Sequence, residues 1–178
     1  MNFSGVIFSA VVLLLLSDSA QCKRDCKSEC CSFVEGIPAR LKELRSSYKQ
    51  ILKLYESNDD LEALLDNNVQ KNINGPHGCH VVNDILRFYL ETVLPTAVKD
   101  NNAHIKTPID SIGNIFQSLQ RDMVKCRIYL SCHKAFDITS IKDSYEKMED
   151  KGVYKAMGEL DLLFKYIEQY VASKRGKH

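Results

Sequence analysis

The apolar residues of this chain recur at helical spacing from Ile37 almost to the C-terminus, and that restricts it to an all-α fold. From Ile37 they run Leu41, Leu44, Tyr48, Ile51, Leu52 and Tyr55, alternate steps of four and three that line one side of a helix. Gly36 and Pro38 mark the start of this helix, since proline is tolerated in a first turn, and Ser57-Asn58-Asp59-Asp60 ends it as a turn. Leu61, Leu64 and Leu65 suggest a short second helix, and 72–78, with Gly75-Pro76, breaks the chain. The next stripe, Val81, Val82, Ile85, Leu86, Phe88, Tyr89, Leu90, Val93 and Leu94, is apolar on more than one face, as befits the centre of a bundle, with Pro95 near its end. Thr107-Pro108-Ile109-Asp110 reads as a helix start, followed by Ile112, Ile115, Phe116, Leu119, Met123 and Cys126. Asp137 caps a helix through Ile138, Ile141, Tyr145 and Met148, which Lys151-Gly152 breaks. A last helix carries Val153, Met157, Leu160, Leu163, Phe164, Ile167, Tyr170 and Val171. Long helices with short joints make a helical bundle, and 178 residues suit one such domain.

The N-terminal segment has a different character. Residues 6–16 are apolar except for Ser9, a run too short for a bilayer-spanning helix, which needs about 20 residues. The small, polar stretch Ser17-Asp18-Ser19-Ala20 follows, so the segment reads as a secretory signal peptide. Cutting after Cys22 leaves two small residues, Ala20 and Cys22, at the positions that guide cleavage, whereas a cut after Ala20 would place Asp18 at one of them. The expected organisation is a leader over 1–22 and a secreted, extracellular helical domain over 23–178, with no membrane insertion. A formal net charge of +1 argues against a nucleic-acid partner, because phosphate recognition calls for a strong basic excess.

The chain has seven cysteines, and the cut that removes Cys22 leaves an even set: Cys26, Cys30, Cys31, Cys79, Cys126 and Cys132. In an oxidising compartment such a set reads as disulfides, although spacing alone does not choose among the pairings. Zinc is the competing reading, with Cys79-His80, Cys132-His133 and His77 as ligands. That spacing is not the one structural zinc sites use, so neither a metal nor any other cofactor is expected.

Catalytic patterns are lacking: there is no G-x-S-x-G, HExxH or P-loop sequence. Cys30-Cys31 is followed three residues on by Val34, where secreted phospholipases need a histidine. Glu149-Asp150 and Asp59-Asp60 have no apolar flank to raise a carboxyl pKa. An enzyme is therefore not expected. Two classes of binding protein remain: a signalling ligand, and a secreted lipid or ligand carrier that uses the bundle core.

Two segments discriminate between them. One is Gly78-Cys79-His80-Val81-Val82-Asn83-Asp84-Ile85-Leu86-Arg87-Phe88-Tyr89-Leu90-Glu91-Thr92-Val93-Leu94-Pro95. The other is Lys151-Gly152-Val153-Tyr154-Lys155-Ala156-Met157-Gly158-Glu159-Leu160-Asp161, followed by Tyr166-Ile167-Glu168. With Ile37-Pro38, Leu41, Leu44 and Arg45, they resemble the interleukin-10 family along essentially all of 23–178. The resemblance implies a six-helix cytokine bundle forming an intertwined homodimer, in which the first four helices of one chain hold the last two of the other. The loop from His133 to Asp137 would be the exchange connection. It also implies the pairs Cys30–Cys126 and Cys79–Cys132, with Cys26 and Cys31 left over for a third, short-loop bridge. The family's high-affinity receptor chain docks on the first helix, the loop after it and the last helix. The matching positions here are Lys42, Arg45, Glu56, Glu62, Lys155, Glu159, Asp161 and Glu168. Leu52, with Lys53 beside it, departs from the basic contact residue that the family often carries. A second, shared receptor chain would engage elsewhere, and the implied output is JAK/STAT signalling that restrains macrophage activation.

Overall fold

A computed structural model describes residues 26–56, 61–99, 103–133 and 135–175. The leader, its cut site, the 57–60 turn and Lys134 of the expected exchange connection lie outside the described residues. Within them the chain is all helical.

Helix α1 spans Glu29–Lys49. Ser28 caps it by accepting from the Cys31 amide at 3.1 Å, satisfying one of the otherwise orphaned first-turn donors. It begins well before Pro38, contrary to the sequence expectation. An interior proline costs a helix roughly 3 kcal/mol, but the two turns ahead of it are anchored by the Cys30–Cys126 disulfide and by burial of Phe33 and Val34. The helix also ends sooner than the apolar stripe: the chain turns at Gln50 and Ile51, and α2 is a single turn, Leu52–Tyr55.

The expected short helix at 61–65 is instead irregular chain with Leu64 and Leu65 buried. Helix α3, Asn67–Asn74, was not expected, and it runs three residues into the 72–78 segment read as a break. Asp66 caps it, accepting from Val69 N at 2.9 Å, and Val69 and Ile73 bury its one apolar edge. Helix α4, Gly78–Phe88, runs through a π-turn at Tyr89–Val93 into α5, Leu94–Val98, as one rod. Pro95 lacks an amide to donate back along the helix, and the wider turn just before it absorbs that defect, so the rod passes the proline instead of stopping there. The stripe through Val81, Val82, Ile85, Leu86, Tyr89 and Val93 is buried, as the two-faced pattern implies.

Helix α6, Ala103–Lys125, starts ahead of the Thr107-Pro108 boundary read from sequence, because Ile105 and Pro108 are themselves packed inside. Helix α7 is Thr139–Lys147, and Asp137 accepts from both the amide and the hydroxyl of Thr139 at its start. The break after α7 falls at 148–150, with Glu149 at φ 50°. Gly152 lies inside α8, Lys151–Gly158, and is not the breaker. A Cβ there would stand 2.6 Å from the Tyr145 carbonyl oxygen, so the close approach of α8 to the end of α7 requires glycine. Helix α9, Leu160–Ala172, follows after a turn at Glu159. The apolar spacing had read α8 and α9 as one helix.

Helix α1 packs chiefly on α6 and α9, and α9 also meets α3. The axis between them is filled by rings in edge-to-face contact: Tyr48 on Phe164 at 6.1 Å, Phe164 on Phe116 at 6.2 Å, and Phe116 on Tyr89 at 6.1 Å. Cys30 is bonded to Cys126, Cys79 to Cys132, and Cys26 to Cys31. Beside the first of these, Arg40 of α1 donates to Asp122 of α6 at 2.7 Å and lies over the Phe33 ring. No described helix is long and apolar enough to cross a membrane.

Candidate functional site

The residues singled out as receptor contacts lie on α1, at the end of α2 and in the 61–66 segment, around the α8–α9 junction, and, for Glu168, further along α9. Packing brings several of these together at one face. Arg45 of α1 donates to Glu168 of α9 at 2.8 Å, and both side chains remain partly exposed. Such a surface pair contributes at most about 1 kcal/mol to stability, so its main effect is to fix how two charged groups are presented. Lys42 stands one turn earlier on α1 and is exposed, as are Glu56, Glu62 and Asp161. Leu52 is half-buried, while Leu54 (52% exposed) and Tyr154 (44%) present apolar surface among these charges. Tyr154 leans on Tyr55, their ring centroids 5.8 Å apart. The face thus offers both charge and contact area, the mixture that a polar interface with a few aromatic anchors uses.

The turn at Glu159 organises the centre of this face. Breaking a helix leaves carbonyls at its end without the usual amide partners. Tyr89 donates its hydroxyl to the Ala156 carbonyl at 2.7 Å, and Tyr48 reaches the Gly158 carbonyl at 3.4 Å. Burial, and then the negative field of Asp161 and Glu56, push the Tyr48 phenol above its ordinary pKa, so it stays a neutral donor. Two more of the eight positions are thereby located beside Tyr48.

Glu159 behaves differently from its exposed neighbours. Its side chain is only 11% exposed. One oxygen accepts from Leu64 N at 3.1 Å and the other from Leu65 N at 2.8 Å. Lys155 Nζ lies 3.7 Å away, itself only 16% exposed. Tyr166 adds a bond from its hydroxyl to the Leu65 carbonyl at 3.1 Å. The 61–66 segment, which carries Glu62, is thus tied to α8 and α9 by one carboxylate and one phenol.

The three tyrosines were not singled out from sequence as site residues. For Tyr48 and Tyr89 a signal was there: a hydroxyl at a buried stripe position needs an acceptor, and both find one just before the break, whereas Tyr166 lies off the stripe and bonds to Leu65 of the 61–66 segment. Among the described residues no group of histidine, cysteine and carboxylate side chains could hold a metal ion.

The family model described as Interleukin 10 matches residues 6–173. The chain is 37% identical over 169 residues to interleukin-10 of Gallus gallus, covering 93% of this chain and 96% of that protein. It is 31% identical over 174 residues to interleukin-10 of Sus scrofa, covering 96% and 99%. It is also 30% identical over 167 residues to the viral interleukin-10 homolog of Equine herpesvirus 2, covering 92% and 93%. A match of that extent, on an all-helical chain with these disulfides, makes this protein a member of the interleukin-10 family, a helical cytokine and not an enzyme.

Proposed function

We propose that the chain is a secreted, anti-inflammatory cytokine that binds and clusters a high-affinity receptor chain and a second, shared one, triggering JAK/STAT signalling that restrains macrophages. The observation that carries this reading is the gathering of Arg45, Glu168, Lys155, Glu159 and the 61–66 segment at one face. Charges placed this way set orientation and on-rate in a polar interface. A lipid or ligand carrier is the weaker reading, since the interlocked rings of Tyr48, Phe164, Phe116 and Tyr89 occupy the bundle axis such a cargo would need.

The mature protein in this reading is 23–178, released by cleavage after Cys22. It forms a homodimer by exchanging α7 to α9 through the connection at His133 to Asp137. In a single chain the same groove is filled by the chain's own α9, so the exchange preserves the contacts and changes only which copy supplies them. Sedimentation or light scattering of the mature protein is expected to give twice the chain mass. A monomer that still activated the receptor would remove the dimer from the reading.

The receptor face itself is tested by reversing two exposed charges, Lys42→Glu and Asp161→Lys. Together they are expected to weaken binding to the high-affinity chain by about ten- to a hundredfold, a typical cost for charged interface contacts. STAT phosphorylation in macrophages should fall in step, with the urea unfolding midpoint unchanged. Unaltered binding by a folded double variant would sink the assignment of this face.

A further inference from the structure

We propose that the Cys26–Cys31 bridge is a reversible modification site: a low-molecular-weight thiol opens it by thiol–disulfide exchange and stays bonded to Cys26, while the rest of the fold is undisturbed. This goes beyond the receptor reading and does not depend on it.

Three observations set this bridge apart. The first is access. Cys30, Cys79, Cys126 and Cys132 belong to the hydrophobic core or pack against it, whereas Cys26 and Cys31 stand outside it and are both partly exposed. Each of the other two bridges has one cysteine buried, Cys126 or Cys79. An attacking thiolate must reach a sulfur, so exposure decides which bridge exchanges first. The second is loop length. The bridge joins residues 5 positions apart, against 96 and 53 for the others. In the chain-entropy description the shortest loop contributes least to stability, so its opening leaves the fold nearly as stable as before.

The third is what returns the sulfurs to each other. Cys30 and Cys126 are held together by the packing of α1 on α6 and by Arg40 on Asp122. Cys132 follows a turn whose Leu130 carbonyl accepts from the buried Tyr170 hydroxyl at 3.2 Å, and Cys79 is buried in α4. Those two bridges re-form as soon as they open. Cys26 lies ahead of the Ser28 cap, outside α1, and a short tether brings it back. A short flexible link supplies an effective concentration of about millimolar order, which a small thiol can match.

The exchange balances with the thiol as its only co-reactant. The thiolate sulfur bonds to Cys26 Sγ, the Cys26–Cys31 bond breaks, and its electron pair leaves on Cys31 Sγ, which takes a proton from water. One disulfide replaces another, so no oxidant is consumed. Cys31 is the better leaving group because it is the third residue of α1, where the positive end of the helix stabilises a departing thiolate. Glu29 opposes this from the same turn, but it is 82% exposed and lies 3.7 Å from Lys125 Nζ, so solvent and that cation weaken its field. Lys27, next to Cys26 and exposed, favours an anionic thiol such as glutathione. Attack by Cys31 on the adduct expels the thiol and restores the bridge. Throughout, Cys30–Cys126 keeps α1 stapled to α6, and the modified end lies about 20 Å along α1 from Arg45, at 1.5 Å per residue.

The test uses the mature protein with all three disulfides formed, in a neutral buffer of reduced and oxidised glutathione. Samples are quenched with acid over time, free thiols are alkylated, and the peptides are mapped by mass spectrometry. The Cys26–Cys31 bridge should open at least about tenfold faster than either of the others, with glutathione on Cys26 in several-fold excess over Cys31 and the near-ultraviolet circular dichroism unchanged. In denaturing urea the rate difference should disappear, since it comes from the fold. Opening of Cys30–Cys126 or Cys79–Cys132 at an equal rate in the folded protein overturns the proposal. So does glutathione chiefly on Cys31, or a tenfold preference that survives unfolding. Any of these would leave the cytokine reading standing, and a failed charge-reversal experiment would leave this assignment standing.

Discussion

Replacing both Cys30 and Cys126 by serine is expected to lower the unfolding free energy by about 4–5 kcal/mol. The bridge joins residues 96 positions apart, and in the chain-entropy description the benefit of a cross-link grows with the loop it closes in the unfolded chain. Set against a typical domain stability of about 5–15 kcal/mol, that is a large share. The double replacement avoids a stranded thiol, and Cys26–Cys31 would remain to hold the start of α1. Urea unfolding of the two proteins measures the difference directly. A loss below about 1 kcal/mol would mean that the packing of α1 on α6, with Arg40 on Asp122, already fixes the ends the disulfide joins.

Phe164→Ala should cost about 3–5 kcal/mol, the usual range for removing a buried aromatic ring. Phe164 has no exposed surface, and it is one of the two inner rings of the ladder, edge-on to Tyr48 of α1 and near-perpendicular to Phe116 of α6. Its removal opens a cavity where α9 meets two other helices, so neither neighbour can close the gap without moving off its own partners. Phe164→Leu should cost roughly half as much, since most of the volume is kept. A small effect of the alanine change would show that α9 repacks easily.

The sequence identified the buried residues far better than the helix ends. The stripes named on α1, α4, α6 and α9 are core except for the half-buried Ile115, because burying one face of a helix imposes a 3.6-residue period whatever the ends do. The boundaries read from Pro38, Pro95 and Pro108 all fell short of the helices for a shared reason. Proline's local cost is a few kcal/mol, and in each case the turns beyond it are held by distant groups: Cys126 for the start of α1, the π-turn and core for α5, buried Ile105 for α6. Helix α3 was missed because Asn67, Asn68, Asn72 and Asn74 give it weak propensity, and only Val69 and Ile73 mark its buried edge. The turn at Glu159 is invisible to periodicity, since Met157, Leu160, Leu163 and Phe164 keep helical spacing across it. The charged residues of the site were legible only through family resemblance. The buried role of Glu159 was not legible at all, because its partners are two amides more than ninety residues away in sequence.

The three disulfides have a further, mechanical consequence. The Cys30–Cys126 and Cys79–Cys132 loops interlock, each beginning or ending inside the other. A single cut in the backbone anywhere between Cys31 and Cys132 therefore leaves two pieces still joined through sulfur. Beyond Cys132 the described chain carries no cross-link, and α7, α8 and α9 hang from the stapled part by one peptide thread. Pulled by its C-terminus, the molecule would give up those three helices by breaking only weak contacts, and under any force too small to break a sulfur bond the extension would stop at Cys132.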